Sequence, residues 1–561
     1  MIFIVLILKK TSIYQEVKSK INILELKKNT IILNFFNIIT ERNAMKKINM
    51  KLTFCMLIIC IFLSSFAQAK DIIWARYGDI DSLDPHKATS TLSLQVWGLI
   101  YDTLLATDKD GNAVPHLAKS WKSNSDGTEY TFSLNKGAKC HDGTPMDAND
   151  VKYTVEKAFS KSNPSLTKGS WGPITNVEVL NPLTVKFNLK TPFVALISFL
   201  ADSFSSIICD SNKGKSGFGT NAAIGSGPWE FVSWTKGDKI VLKKNPNYKN
   251  FGKLPNNPGA PYMDGLVISV VPEPQARLAA LKTGEVHIAE PPFDDVQALK
   301  DSGALKIMVA ENTGQNVFWE FAAHRPPFND KRARLAVGHA TDPETAINLI
   351  YGDLSMTEAC PVSRGVFGND QEFCLKYRPN YNPEKSKALL AEIGYGPSNP
   401  LETTMIVWTG GNRQKLAEVF QSQLAEVNIK ANIEIMDIGS MNARVRQENE
   451  NKTSKKGSMD MMTWSWYDPD ILYALWHSPG AYRGYTTPGL DAMLEKTRVL
   501  SNKDERKALV QDVFKHLLEN GVHIPLYTPG WEWVFAVRPE VKGFMVAPFV
   551  YPTFNDVKIG N

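Results

Sequence analysis

Residues 462–470 read Met-Thr-Trp-Ser-Trp-Tyr-Asp-Pro-Asp and concentrate more chemistry than any other stretch of the chain. Asp468 and Asp470 are two carboxylates within three positions, the residue type that general acid–base hydrolysis requires. On an extended strand the two would share a face, but Pro469 between them removes a ladder donor and favours a turn. A secreted hydrolase is therefore the lesser expectation. The rings of Trp464, Trp466 and Tyr467 suit either a pocket wall or a core. On a strand, Trp464 and Trp466 point one way and Ser465 and Tyr467 the other, so some of the four are expected in the core.

Other enzyme motifs fail on spacing. Gly214-Lys215-Ser216 ends like a phosphate loop, but Cys209 stands where the first glycine is required. Residues 217–222 imitate a dinucleotide fingerprint without a hydrophobic strand leading into them. The sequence contains no H-E-x-x-H, C-x-x-C or G-x-S-x-G, and its nine histidines are scattered. No catalytic residue, cofactor or metal ligand is expected.

The elements that must position these residues alternate between two periodicities. Two-residue alternation next to turn residues marks strands over 130–134, 177–189 and 239–243. Helical spacing marks 150–159, 274–283, 330–340, 383–393 and 413–427, with Pro274 and Pro383 in first turns, where a missing N–H costs nothing. Interleaved strands and helices make the class α/β. Polar residues 447–458 read as a surface loop. At 561 residues the chain exceeds what one core organises, so at least two lobes are expected. With 43% hydrophobic and 22% charged residues and a net charge of +5, it is an ordinary globular composition that implies no nucleic-acid partner.

From Met45 the sequence has the form of a secretory signal peptide: Lys46, Lys47 and Lys51, an apolar run over 52–66, then Ala67-Gln68-Ala69. The run is shorter than the roughly 20 residues that span a bilayer. Residues 1–44 are expected to be an upstream extension from a misassigned start, 45–69 the signal peptide, and Lys70 the first mature residue. The product is expected to be periplasmic and soluble rather than lipid-anchored, because bulky Ile59 precedes Cys60. Beyond this segment lie Cys140, Cys209, Cys360 and Cys374. An even number in an oxidising compartment points to two disulfides, with three connectivities open. If Cys360 and Cys374 close a short local loop, Cys140 pairs with Cys209; buried free thiols are the alternative.

A longer pattern emerges when short segments are read in order. It begins with residues 80–86 (IDSLDPH), 99–105 (LIYDTLL), 115–121 (PHLAKSW), 126–132 (DGTEYTF), 141–145 (HDGTP) and 148–151 (ANDV). It continues with 225–229 (GSGPW), 245–248 (NPNY), 261–265 (PYMDG), 275–285 (QARLAALKTGE), 327–332 (PFNDKR), 524–527 (IPLY) and 538–543 (RPEVKG). Together these resemble the family 5 extracellular solute-binding proteins, the dipeptide- and oligopeptide-binding receptors of ABC importers, over essentially all of residues 70–561.

The resemblance implies a two-lobed periplasmic-binding-protein clamshell of the cluster C type. Lobe I would comprise 70–317 and 526–561 with an extra inserted subdomain near 112–215; lobe II would comprise 318–525. It further implies a monomer that closes on a peptide or small molecule and delivers it to permease subunits in the inner membrane. Related receptors also take nickel or metallophore complexes, haem, glutathione, opines or sugars, and a chaperone-like binder is a further alternative. Related peptide receptors carry an aspartate three residues before the Asp-Pro pair, where it holds the peptide's ammonium group. Here that position is Ser465, so the charge-assisted anchor is missing. Glu320, Asp437 or Glu532 is expected to replace it, or the ligand lacks a free amine there. Expected ligand-binding residues are Trp408, Arg413, Trp464, Ser465, Trp466, Tyr467, Asp468 and Arg364, the two arginines as partners for a ligand carboxylate.

Overall fold

The computed structural model describes residues 71–88, 90–108, 111–252, 254–310, 313–450, 456–478 and 485–560. The expected extension and signal peptide lie outside the described residues. Among the described residues, no helix is long and apolar enough to cross a membrane.

Two sheets organise the molecule. The strand Asp71–Arg76 lies inside the first, with parallel neighbours Gly265–Val270 and Ile288–Ala289 on its two edges. A strand enclosed in this way loses polar alternation, and Ile72, Trp74, Ala75 and Arg76 are all fully buried. The full order is Lys306–Val309, Val534–Val537, Ile288–Ala289, Asp71–Arg76, Gly265–Val270, Lys239–Lys244, Trp229–Thr235. The last two form a hairpin whose turn places Gly237 at φ 76°, a left-handed conformation that favours glycine.

The second sheet has the order Met356–Thr357, Ile524–Thr528, Gln315–Phe321, Met459–Ser465, Leu401–Trp408, Ile429–Met436. The helix Arg413–Ala425 buries Leu416, Ala417, Phe420 and Leu424, one apolar stripe at helical spacing, in the core beneath this sheet. The chain passes from the first sheet to the second between Val309 and Gln315, and returns between Thr528 and Val534. The boundaries expected at 317/318 and 525/526 therefore fall within strands of the second sheet.

A third, four-stranded antiparallel sheet orders Ala118–Ser123, Glu129–Leu134, Thr184–Leu189 and Ile174–Asn181. Residues 177–189, expected as one strand, are most of a hairpin. Pro182 has no N–H for a ladder, and Asn181 Oδ1 accepts from Leu183 N at 3.0 Å to close the turn. The adjoining helix Ala148–Ala158 starts with a reciprocal cap between Asp147 and Asp150.

The loop expected over 447–458 is in part helix, since Ile438–Glu450 runs through its first residues. The apolar residues that anchor this helix, the buried Met441 and Val445, precede the polar run, and Glu448 turns inward after them. Its carboxylate accepts from Ser458 N (2.9 Å) and Oγ (2.5 Å), both buried. Residues 451–455 lie outside the described residues.

Of the three possible connectivities, the chain adopts Cys140–Cys209 and Cys360–Cys374. Their sequence separations are 69 and 14 residues. On chain-entropy grounds the longer loop contributes about 4 kcal/mol and the shorter about 3 kcal/mol. Urea denaturation of Cys140→Ala/Cys209→Ala and of Cys360→Ala/Cys374→Ala should show losses in that order. A wild-type midpoint for the first variant would mean that this bridge does not restrain the unfolded chain.

Candidate functional site

The strand Met459–Ser465 sits in the middle of the second sheet and pairs with Gln315–Phe321 residue for residue, ending at Gln315 opposite Ser465. There the ladder stops. Trp466 N donates to the carbonyl of Gly314 (3.1 Å) and Ser465 Oγ to that of Thr313 (3.5 Å), both in the crossover between sheets. Gly314 has φ 68°, and a Cβ would stand 2.4 Å from the ring of Phe549, so only glycine lets the crossover run this close.

Beyond Tyr467 the chain folds into a turn governed by Asp468. Its carboxylate is fully buried and accepts from Asp470 N at 2.9 Å, from Arg506 Nη2 and Nη1 at 2.6 and 3.2 Å, and from Ser198 Oγ at 3.0 Å. Ser198 belongs to the helix Ala195–Phe199, outside the second sheet's segment. Pro469 fits because a turn needs no donor there.

Strand geometry ends at Ser465, so the two-face alternation does not extend to Trp466 and Tyr467; Tyr467 is buried in the core, while Trp464 and Trp466 pack against it only partly buried. Trp464, Ser465, Trp466 and Tyr467 all border one cavity of about 820 Å³. Ser90, Thr91, Leu94, Asp202, Phe204, Phe549 and Tyr551, from segments outside the second sheet, close it on one side. Gln315, Trp408, Asp470, Tyr473 and Arg498, on the second sheet or in the segments that follow its strands, complete the lining on the other side. The rings are close-packed: Trp466 stacks on Tyr467 with centroids 5.0 Å apart and lies 6.1 Å from Phe204.

Three charged groups appear among the described lining residues. Arg498 lies over the rings of Tyr473 (4.0 Å) and Phe193 (4.7 Å) and grips Asp470 with Nε–Oδ1 2.8 Å and Nη2–Oδ2 3.3 Å. Burial lifts the Asp470 carboxyl to about 6, although Arg498 opposes the rise. Asp202 is also pushed up to about 6 by burial. It caps the short turn Ser203–Ser205 by accepting Phe204 N (2.9 Å), and its other oxygen accepts the Tyr551 hydroxyl (3.0 Å). Neither partner carries charge.

The profile of the bacterial extracellular solute-binding proteins, family 5, matches residues 112–483. The chain belongs to this family. The glutathione-binding protein GsiB of Escherichia coli K12 is 30% identical over 508 residues, covering 88% of this chain and 95% of that protein. Among solved structures, Helicobacter pylori DppA in complex with the peptide STSA superposes with a TM-score of 0.70 at 25% identity, covering 88% of this chain and 98% of that one. Listeria monocytogenes CtaP superposes with a TM-score of 0.76 at 22% identity over 88% of this chain and all of that one, which speaks for the fold alone.

Within this family 5 solute-binding protein, three of the expected ligand contacts lie away from the cavity. Asp468 is consumed by Arg506 and Ser198. Arg413 is buried, ion-paired with Glu532, and held between the rings of Trp408 (3.3 Å) and Trp531 (4.8 Å). Arg364 donates to Thr357 O (3.2 Å) and Gln371 Oε1 (3.1 Å) within its own loop. The acids expected to replace the missing anchor are elsewhere too. Glu320 is buried in the sheet opposite Asp460, Asp437 accepts from Ser440 N (2.9 Å), and Glu532 belongs to Arg413. Of the lining acids, Asp470 stands out in the sequence only as a partner for Asp468, and Asp202 carries no signal because an aspartate before a short turn reads as a cap.

A hydrolytic pairing of Asp468 with Asp470 is also overturned, since each carboxylate is committed to its own arginine. Removing one partner strands the other charge: Asp468→Ala should cost about 3–5 kcal/mol in urea denaturation, and Arg506→Ala added to it should recover part of that loss.

Asp202 sets a pH dependence. A carboxyl raised from 3.8 to about 6 binds its proton sooner in the folded state, so the ligand-free protein loses stability as pH rises through 6. Asp202→Asn should therefore gain about 1–3 kcal/mol over wild type at pH 7.5. The gain should disappear below pH 4; a constant difference across that range in thermal melts would contradict it.

Proposed function

We propose that this chain is the periplasmic receptor of an ABC importer for short peptides or peptide-like solutes, held between the two lobes and passed to permease subunits in the inner membrane. The observation that carries this reading is the cavity between the lobes, walled by Trp408, Trp464, Trp466, Tyr467, Tyr473 and Phe204. Its volume falls within the roughly 300–1,000 Å³ usual for small-ligand sites. Aromatic surface with a few polar groups accepts varied side chains, while the polar groups fix orientation.

The relatives support the peptide class. One is named for glutathione, a tripeptide, and one was solved with the peptide STSA. The sheet topology supports lobes that join at residues 310–314 and 529–533, where the chain crosses twice. Two short crossovers are the arrangement that hinge closure needs. A monomer suffices for this mechanism, because the cavity is built from one chain. Receptors for nickel complexes or opines share the fold, but no observation on this cavity favours them.

The cavity tryptophans make the reading testable by intrinsic fluorescence. Titration with a dipeptide and tripeptide library should shift or quench emission. Native mass spectrometry of the purified protein should identify the same class of ligand. Trp466→Ala should weaken binding by about tenfold or more, since a buried aromatic anchor dominates such contacts. No response to any peptide, with a non-peptide solute retained in the mass spectrum, would overturn the peptide assignment.

A further inference from the structure

We propose that the cavity selects solutes that carry a cationic group beyond the terminal ammonium, with the Asp202 carboxylate as the counter-charge of that second cation, and disfavours the anionic tripeptide glutathione. This deepens the reading above and rests on the cavity being the ligand site.

The argument is one of charge balance in a buried space. Among the described lining residues the ionisable acids and bases are Asp202, Asp470 and Arg498. Arg498 is engaged by both oxygens of Asp470 through Nε and Nη2, one edge of its guanidinium, so this pair is internally neutral. Asp202 remains. It is 7% exposed, and its two oxygens receive a backbone N–H and a phenol hydroxyl. Those donors orient the carboxylate without neutralising it. A buried carboxylate lacking a cation is unfavourable, and a ligand ammonium or guanidinium would supply the missing partner.

The surroundings suit the same group. Phe204, Trp466 and Tyr551 border the cavity beside Asp202, and aromatic faces attract cations. Ser465 stands at the strand end, and its hydroxyl donates to Thr313 O, so it adds no charge there. The anchor thus comes from the first lobe, through the turn at Asp202, rather than from the second lobe's strand. A cation bridging from Asp202 to the aromatics of residues 464–467 would touch both lobes and favour their closed arrangement.

Glutathione carries two carboxylates and one ammonium at neutral pH and so brings a net negative charge. With Arg498 already committed, the described lining offers its second carboxylate no unspent cation. Similarity to glutathione-binding relatives therefore does not extend to this feature of the site.

The test is calorimetric titration of the mature protein at pH 7.5 with Ala-Lys, Ala-Gln, Ala-Glu and glutathione. The expected order is Ala-Lys tightest and glutathione weakest, with at least tenfold between Ala-Lys and Ala-Glu. Asp202→Asn should lose at least tenfold for Ala-Lys and leave Ala-Glu and glutathione unchanged or tighter, whereas Asp202→Glu should retain the order. A thermal melt of each variant establishes that it is folded. Glutathione binding as tightly as Ala-Lys, or an Asp202→Asn loss equal for all four ligands, overturns the inference while leaving the peptide reading intact. If no peptide binds, the peptide reading fails by itself. Thermal stabilisation by putrescine, abolished in Asp202→Asn, would then support the charge assignment, and its absence would overturn it.

Discussion

The buried carboxylate of Asp468 holds the architecture of the site together. It is fully enclosed and satisfied at once by the guanidinium of Arg506, the hydroxyl of Ser198 and the N–H of Asp470. An ionised group in such a place is tolerable only when every lone pair is used, so the turn around it has little freedom. That turn follows directly on Trp464, Ser465, Trp466 and Tyr467 and determines how they emerge from the sheet. Because Ser198 lies on the helix Ala195–Phe199, the same carboxylate ties the cavity wall to a helix outside the second sheet's segment. The Val194 N–H bond to the Arg498 carbonyl (2.8 Å) reinforces the tie, and Arg498 in turn carries Asp470.

A second buried cation secures the crossovers. Arg413 opens the helix Arg413–Ala425 and lies between two indoles, with Glu532 of the returning crossover as its counter-charge. Gly411 makes room for this: a Cβ there would overlap the ring of Trp531. Phe293 and Tyr351 extend the stack, Tyr351 lying nearly parallel to Trp531 with centroids 5.3 Å apart. Trp408 has two neighbours of different kind, the cavity on one side and Arg413 on the other. The cavity lining and the fixing of the crossover thus share one side chain.

Much of the fold was legible before any coordinates. The helices 274–283, 330–340 and 383–393 declare themselves through Pro274, Asp330 and Pro383 at their starts, signals that depend on local backbone chemistry alone. The hairpin around Pro182 and the helix through 447–450 were misread for the same local reason. Pro182 interrupts an alternating run whose two halves look continuous, and the buried apolar anchors of the helix, Met441 and Val445, lie before the polar run and leave it looking like a loop. The cavity was half legible: Trp464 to Tyr467 stand out by type, but Asp202 looks like an ordinary cap, and Arg498 and Tyr551 have no signature at all.

Sequence by itself determined the family and the interleaved α/β elements, with the export signal and an aromatic pocket wall as expectations, because ordered motifs and periodicity are properties of neighbours along the chain. Only the tertiary structure decided which charges are available to a ligand. Asp468, Arg413 and Arg364 carry the right chemistry for binding but are spent on partners distant in sequence or folded into their own loop, while Asp202 is left with neutral donors. Whether a charge is free depends on what surrounds it in three dimensions and on how far water is excluded, and neither is written in the spacing of residues.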